Sequence, residues 1–144
     1  MADNLQKELH RFVEEVVLPG NTARIPEFVS KDYVEHEEAP GAPTGIQSVY
    51  WWTEQMNAGF SNLHWSIEQT AQDGNTLWSR SRIKGTHTGT AFGIPATNKP
   101  FEVDTMDCLH FNDEGLVVEH WGVTDFAGML TQLGLMEQPD YTQQ

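Results

Sequence analysis

Asp107 and His120 are the residue types from which a proton-transfer site is built. A carboxylate that orients an imidazole makes a general acid/base near neutral pH. An imidazole can also stabilise the oxygen of an enolate. The two lie on alternating runs, 101–111 and 116–125, joined by Asn112-Asp113-Glu114-Gly115, which predicts a tight antiparallel hairpin. A two-residue or four-residue connection places Phe111 opposite Leu116. In that register Asp107 faces His120, Thr105 faces Gly122, Met106 faces Trp121 and Cys108 faces Glu119. Residues so paired have Cβ atoms roughly 5 Å apart. Alternation gathers Val103, Thr105, Asp107, Leu109, Val118, His120 and Gly122 on one mostly apolar face. A loop of three or five residues would slip the register by one and break the pair. The other reading of the pair is a cross-strand contact that satisfies two buried polar groups.

Glu35 and His36 precede a loop rich in Pro and Gly, at the expected mouth of a cavity. Either one of them points inward, or Glu35-His36-Glu37-Glu38 is a solvated acidic loop. Trp51, Trp52 and Met56 on one segment, and Trp65, Trp78 and Trp121 on strands, are candidate walls for an apolar ligand. Of the adjacent Trp51 and Trp52, one is expected to line the cavity and the other to pack elsewhere. Trp121 falls on the face away from Asp107, which suits a convex sheet face and a dimer contact. The candidate substrate contacts are therefore Glu35, His36, Trp51, Trp52, Met56 and Thr105. His87, in Gly85-Thr86-His87-Thr88-Gly89, reads as a strand-end residue. Arg80 and Arg82 share a face and are expected to pair with Glu68 and other acids; binding a carbonyl or carboxylate is the alternative.

No helix carries a pair of ligands at metal spacing, and Cys108 has no second cysteine. There is no phosphate loop, nucleotide fingerprint or serine elbow. The glycines at 85, 89 and 93 are not followed by a helix and read as turn glycines. No metal and no cofactor are expected.

The elements that must hold these residues follow from periodicity. Asp3 or Asn4 can cap a first helix whose Leu5, Leu9, Phe12, Val13 and Val16 recur at helical spacing, ending at Pro19-Gly20-Asn21. Pro26 suits a short second helix near 27–30. Residues 32–38 are irregular or extended, and 39–45 form a loop. A third helix spans 46–60. The period then changes to two at Leu63, Trp65 and Ile67. Asp73-Gly74 is a hairpin turn, and 78–87 is the next strand. Asp125 caps a last helix over 126–133, ended by Gly134. The polar tail 137–144 reads as loosely held. Helices followed by antiparallel strands make an α+β class: a curved sheet around N-terminal helices, with a conical pocket between.

The chain has 144 residues, which fits one domain over 1–144. Its net charge of −13 argues against nucleic acid and anionic membranes as partners. A single cysteine suits a reducing compartment. No leader or membrane-spanning run is visible, so the cytoplasm is the expected location.

Gly85-Thr86-His87-Thr88-Gly89, Phe92-Gly93-Ile94-Pro95, Glu119-His120-Trp121, and Asp125-Phe126 leading to Gln132-Leu133-Gly134 resemble the SnoaL-like polyketide cyclase family. The acidic segment Asp32-Tyr33-Val34-Glu35-His36 is similar to that family's segment after its second helix. The resemblance runs from about Leu5 to Gly134. It implies the α+β cone of the nuclear-transport-factor type, shared with ketosteroid isomerase. It implies a homodimer joined through the sheet, a hydrophobic small-molecule ligand, and cofactor-free aldol cyclisation of an aromatic polyketide ester. The family's acid/base aspartate, on the last strand, aligns with Gly122, and its supporting histidine aligns with Asp107. This chain departs from the pattern at both positions. Three readings follow: an acid/base enzyme using Asp107 and His120, a binder with the same cavity and no turnover, and a dimerising domain whose cavity is filled by its own side chains.

Overall fold

The computed structural model describes residues 4–142. Helix α1 spans Leu5–Phe12 and widens into a π-type turn over Val13–Val17. Asn4 occupies the N-cap without a side-chain cap bond, and Asp3, the other expected cap, lies outside the described residues. The helical spacing has its use in packing: Leu5, Leu9 and Val13 are buried against Leu77 and Phe111 of the sheet.

The expected helix at 27–30 is corrected. A 3-10 turn covers Thr22–Glu27, with Pro26 inside it, and strand β1 begins at Val29 and runs to Glu35. Packing drives the change, because Ile25, Phe28, Val29 and Tyr33 bury together with Val16. The acidic segment, expected as irregular or extended, is strand through Glu35 and irregular beyond it. Helix α2 follows over Ile46–Gly59.

Four long strands complete the sheet: β2 Phe60–Asp73, β3 Thr76–His87, β4 Pro100–Phe111 and β5 Val117–Thr124. Their order is β1-β5-β4-β3-β2, with β1 parallel to β5 and every other pair antiparallel. Register shifts at Ser61/His64 and Ile67/Gln69 bend the β2–β3 ribbon, and the sheet curves around the N-terminal helices. Helix α3, Phe126–Gln132, closes the fold, its first turn capped by Asp125 Oδ1 accepting the Gly128 N–H at 2.8 Å. Asp125→Ala should lower stability by about 1 kcal/mol in urea titration. No helix among the described residues is long and apolar enough to cross a membrane.

The β4–β5 register also differs from expectation. Asn112 Oδ1 accepts the N–H groups of Glu114 and Leu116, which draws Leu116 into the turn. Phe111 then pairs with Val117, one residue beyond the expected partner. A second irregularity, between His110 and Phe111, adds another residue. Asp107 is therefore opposite Gly122, Leu109 opposite His120, Met106 opposite Val123 and Cys108 opposite Trp121. One slip would have turned His120 to the other face; two slips return it to the face of Asp107.

Two of the three presumed turn glycines are something else. Gly85 lies within β3, and Gly89 packs so closely on the end of α2 that a Cβ would overlap the Ala58 carbonyl. Only Gly93 has the left-handed backbone of a turn, at φ 75°.

Candidate functional site

A cavity of about 150 Å³ lies between the sheet and the helices. Trp51, Trp52, Trp65 and Ile83 contribute apolar wall, and Glu35, Glu37, Asp107 and His120 form a polar cluster within it. At the mouth it adjoins a groove of about 380 Å³ beside residues 42–45.

His120 is the centre of the cluster. Its Nε2 lies 2.7 Å from Asp107 Oδ1, and its Nδ1 lies 2.7 Å from Glu35 Oε1. The contact to Asp107 runs diagonally across the hairpin, a reach open to long side chains. The contact to Glu35 comes from the parallel pairing of β1 with β5, which aligns Glu35 with His120. An imidazole with a carboxylate on each nitrogen is a double donor and carries a positive charge. Burial opposes that charge, but the bonds to Asp107 and Glu35 and their negative charges outweigh it and push the pKa up to about 10.

The other members are set by this cation. Asp107 Oδ2 accepts from the Thr105 hydroxyl at 3.3 Å, and Thr105 Oγ1 lies 3.0 Å from Thr124 Oγ1. Glu35 Oε2 accepts from the Tyr33 hydroxyl, and Oε1 also accepts the Glu37 N–H at 2.9 Å. Burial works against ionisation of Glu35, yet the bond and charge of His120 hold its pKa below the usual carboxylate range. Burial, with the Glu35 charge and hydrogen bond, raises the Tyr33 hydroxyl, so it remains a donor. Glu37 behaves oppositely to Glu35: burial lifts its pKa, and the charges of Asp107 and Glu35 add to this against the pull of His120.

Strand parity decides which expected residues meet. Tyr33, Glu35 and Glu37 face the cavity, whereas His36 turns outward. His36 stacks on Trp121 at 4.5 Å between ring centroids and 7° between planes, and its Nε2 lies 2.8 Å from Glu119. Its expected substrate contact is corrected on that ground. Thr105 lies in the wall. Met56 does not: it is buried in the core cluster with Phe60, Ile83 and Phe101. Both Trp51 and Trp52 line the cavity, against the expectation of only one. Trp51 leans on Phe92 and Trp52 on Trp65, so neighbouring rings reach one space by different routes. Trp78 is corrected as a wall, since with Trp121 it is exposed on the far face of the sheet. His87 is buried, stacked on Phe60, and outside the lining. Arg82 pairs with Glu102 and Asp104 rather than Glu68.

Glu37 and Tyr33 are the members that sequence reasoning missed. Alternation from Glu35 would have reached Tyr33, had 29–35 been read as a strand, and one more step of it reaches Glu37, two residues past the strand's end. Donor atoms of Glu37, Asp107 and His120 also lie within 4.8 Å of one another, a spacing that could hold a cation. They come from three separate segments, which a search for helix-spaced ligands does not join. With both ring nitrogens of His120 bound to carboxylates, the imidazolium itself fills the role of the positive centre.

A family model described as SnoaL-like polyketide cyclase matches residues 7–133. The aklanonic acid methyl ester cyclase DnrD of Streptomyces peucetius is 25% identical over 136 residues, 90% of this chain and 90% of that protein. The structure of TsrD from Streptomyces laurentii superposes with a TM-score of 0.82 at 22% identity, over 92% of this chain and 96% of that one. A Catenulispora acidiphila protein with a ketosteroid isomerase-like fold gives 0.68 at 20% identity, over 92% and 98%. These likenesses agree with the α+β cone expected from the sequence.

Proposed function

Because the chain belongs to the SnoaL-like polyketide cyclase family, we propose that it is a cofactor-independent enzyme acting on an apolar, ring-bearing carbonyl compound by acid/base chemistry. The observation that carries this is a largely buried imidazolium clamped between two carboxylates at the wall of an otherwise aromatic cavity. Removing a proton next to a carbonyl builds negative charge on its oxygen. A fixed cation in a water-poor site stabilises that charge without reorganising at the moment of reaction. Asp107 and Glu35 keep His120 charged and aimed; His120 supplies the field. The enolate then attacks a second carbonyl of the same molecule, as in aldol cyclisation, or is reprotonated elsewhere, as in isomerisation.

Three carboxylates against one imidazolium disfavour an anionic ligand. Aklanonic acid methyl ester, suggested by the relative's name, should therefore bind more tightly than its free acid, by at least tenfold in titration calorimetry. Its conversion to a cyclised product, followed by mass-resolved chromatography, tests the enzyme reading. Saturable binding without product would support the second reading, a binder of the same ligands.

The far face of the sheet supports a homodimer. Trp78, Met106, Trp121 and Val123 are all exposed there, and the register sets Trp78 and Trp121 on either side of Cys108 and Met106 beside Val123. Such an apolar patch suits an interface. Val123→Lys with Met106→Glu should convert a dimer into a monomer in light scattering while leaving the cavity intact.

A further inference from the structure

We infer that Glu37 is the proton-accepting base of this site, and that Gly122 exists as the space its carboxylate occupies. The inference rests on the enzyme reading above and assigns the atom that reading leaves open.

The assignment follows from which oxygens are free. Both oxygens of Asp107 already accept bonds, one from His120 and one from Thr105. Both oxygens of Glu35 accept as well, from Tyr33, His120 and the Glu37 N–H. Glu37 is anchored by one oxygen only, Oε1, which accepts the Thr124 N–H at 3.1 Å. Its Oε2 has no hydrogen-bond donor among the described residues and lies 4.0 Å from His120 Nε2. A base needs an unengaged oxygen in the cavity, and this is the one the cluster offers.

Gly122 explains why that oxygen can be there. A Cβ at 122 would overlap Glu37 Oε2 and come within 2.8 Å of both Asp107 Oδ1 and His120 Nε2. The backbone is an ordinary strand with no left-handed φ, so the glycine is required by space and not by conformation. Burial and the neighbouring carboxylates also raise the affinity of Glu37 for a proton, which suits a group that must take one up.

The step balances within the substrate. The C–H bond beside the carbonyl breaks, its proton forms an O–H bond on Glu37 Oε2, and the electron pair becomes an enolate whose oxygen faces the His120 charge. The enolate carbon then bonds to the second carbonyl carbon. The alkoxide left on that carbonyl recovers the proton from Glu37.

The test uses α-tetralone, an apolar ring ketone that cannot cyclise, so proton removal is read apart from ring closure. Deuterium uptake next to its carbonyl is followed by mass spectrometry in heavy water, with the full-length protein. The wild type should accelerate uptake, and Glu37→Gln should lose at least about a hundredfold of that acceleration. Gly122→Ala keeps every titratable group but displaces Oε2, and should lose a similar factor. The double variant should be no slower than the slower single one. In the wild type the rate should climb with pH through a value above the ordinary glutamate range. Acceleration retained in both single variants overturns the Glu37 assignment and leaves the enzyme reading standing. No acceleration by the wild type overturns both.

Discussion

His120→Gln should cost about 3–5 kcal/mol of stability near pH 6, because it removes the cation that Glu35, Asp107 and Glu37 surround and leaves buried charges unpaired. The melting temperature should fall by on the order of 10 °C. The pH dependence identifies the cause. In the folded chain the His120 pKa is raised from 6.5 to about 10. A raised pKa means that the folded state binds the proton more tightly, so this stabilisation is complete below pH 6.5 and is lost as pH rises through 10. Glu35 has the opposite sign: its lowered pKa contributes above the ordinary carboxylate value and is lost in acid. The difference between wild type and variant should therefore be largest near pH 5–6.5 and shrink on both sides. Thermal melts from pH 4 to 10 measure it. A difference that stays flat from pH 5 to 10 would mean that His120 is neutral in the folded protein.

That cluster was half legible in the chain. Asp107 and His120 could be brought to one face from alternation alone, because side-chain parity survives any even error in register. The register itself could not be read, because it depends on Asn112 folding its side chain back onto the Glu114 and Leu116 amides and on an irregularity beside His110. That Glu35 reaches His120, and that Glu37 joins them, was hidden for another reason. Glu35 meets His120 through the pairing of the first strand with the last, a contact 85 residues apart in sequence. Nothing local marks the parallel partner of a seven-residue strand, and the charged string 35–38 resembles a solvated loop. The order of helices and hairpins was legible, since periodicity and turn glycines are local. The early 3-10 turn was not, because the burial of Ile25 and Phe28 against Val16 overrides the helix start that Pro26 suggests.

The chain's departure at Gly122 has a structural counterpart. A side chain at 122 would compete with Glu37 for one small volume, so an acid can enter the cluster from the last strand or from the first, but not from both. Glu35 and Glu37 together place the acidic weight on the first strand and its extension. Asp107 is then left with a positional and electrostatic part: Oδ1 on His120, Oδ2 on Thr105.

Asp107→Asn separates that part from simple support of the fold. Asparagine keeps the shape and an acceptor for His120 Nε2, so ligand affinity should change by less than about threefold. It deletes one of the two carboxylates that hold His120 charged, so turnover should fall by about a hundredfold or more. Glu35 still faces Nδ1, and the variant's imidazolium should survive with a pKa below the wild-type value of about 10. The alkaline limb of the rate profile should accordingly move to lower pH, a shift that loosened packing alone would not produce. Rate profiles and calorimetric binding on the same ester supply both readouts. Unchanged turnover would remove Asp107 from the mechanism. Lost affinity together with a lower melting temperature would make it a structural residue of a cavity that only binds. A large fall in turnover with affinity kept and the alkaline limb displaced is the pattern that a charged, oriented His120 requires.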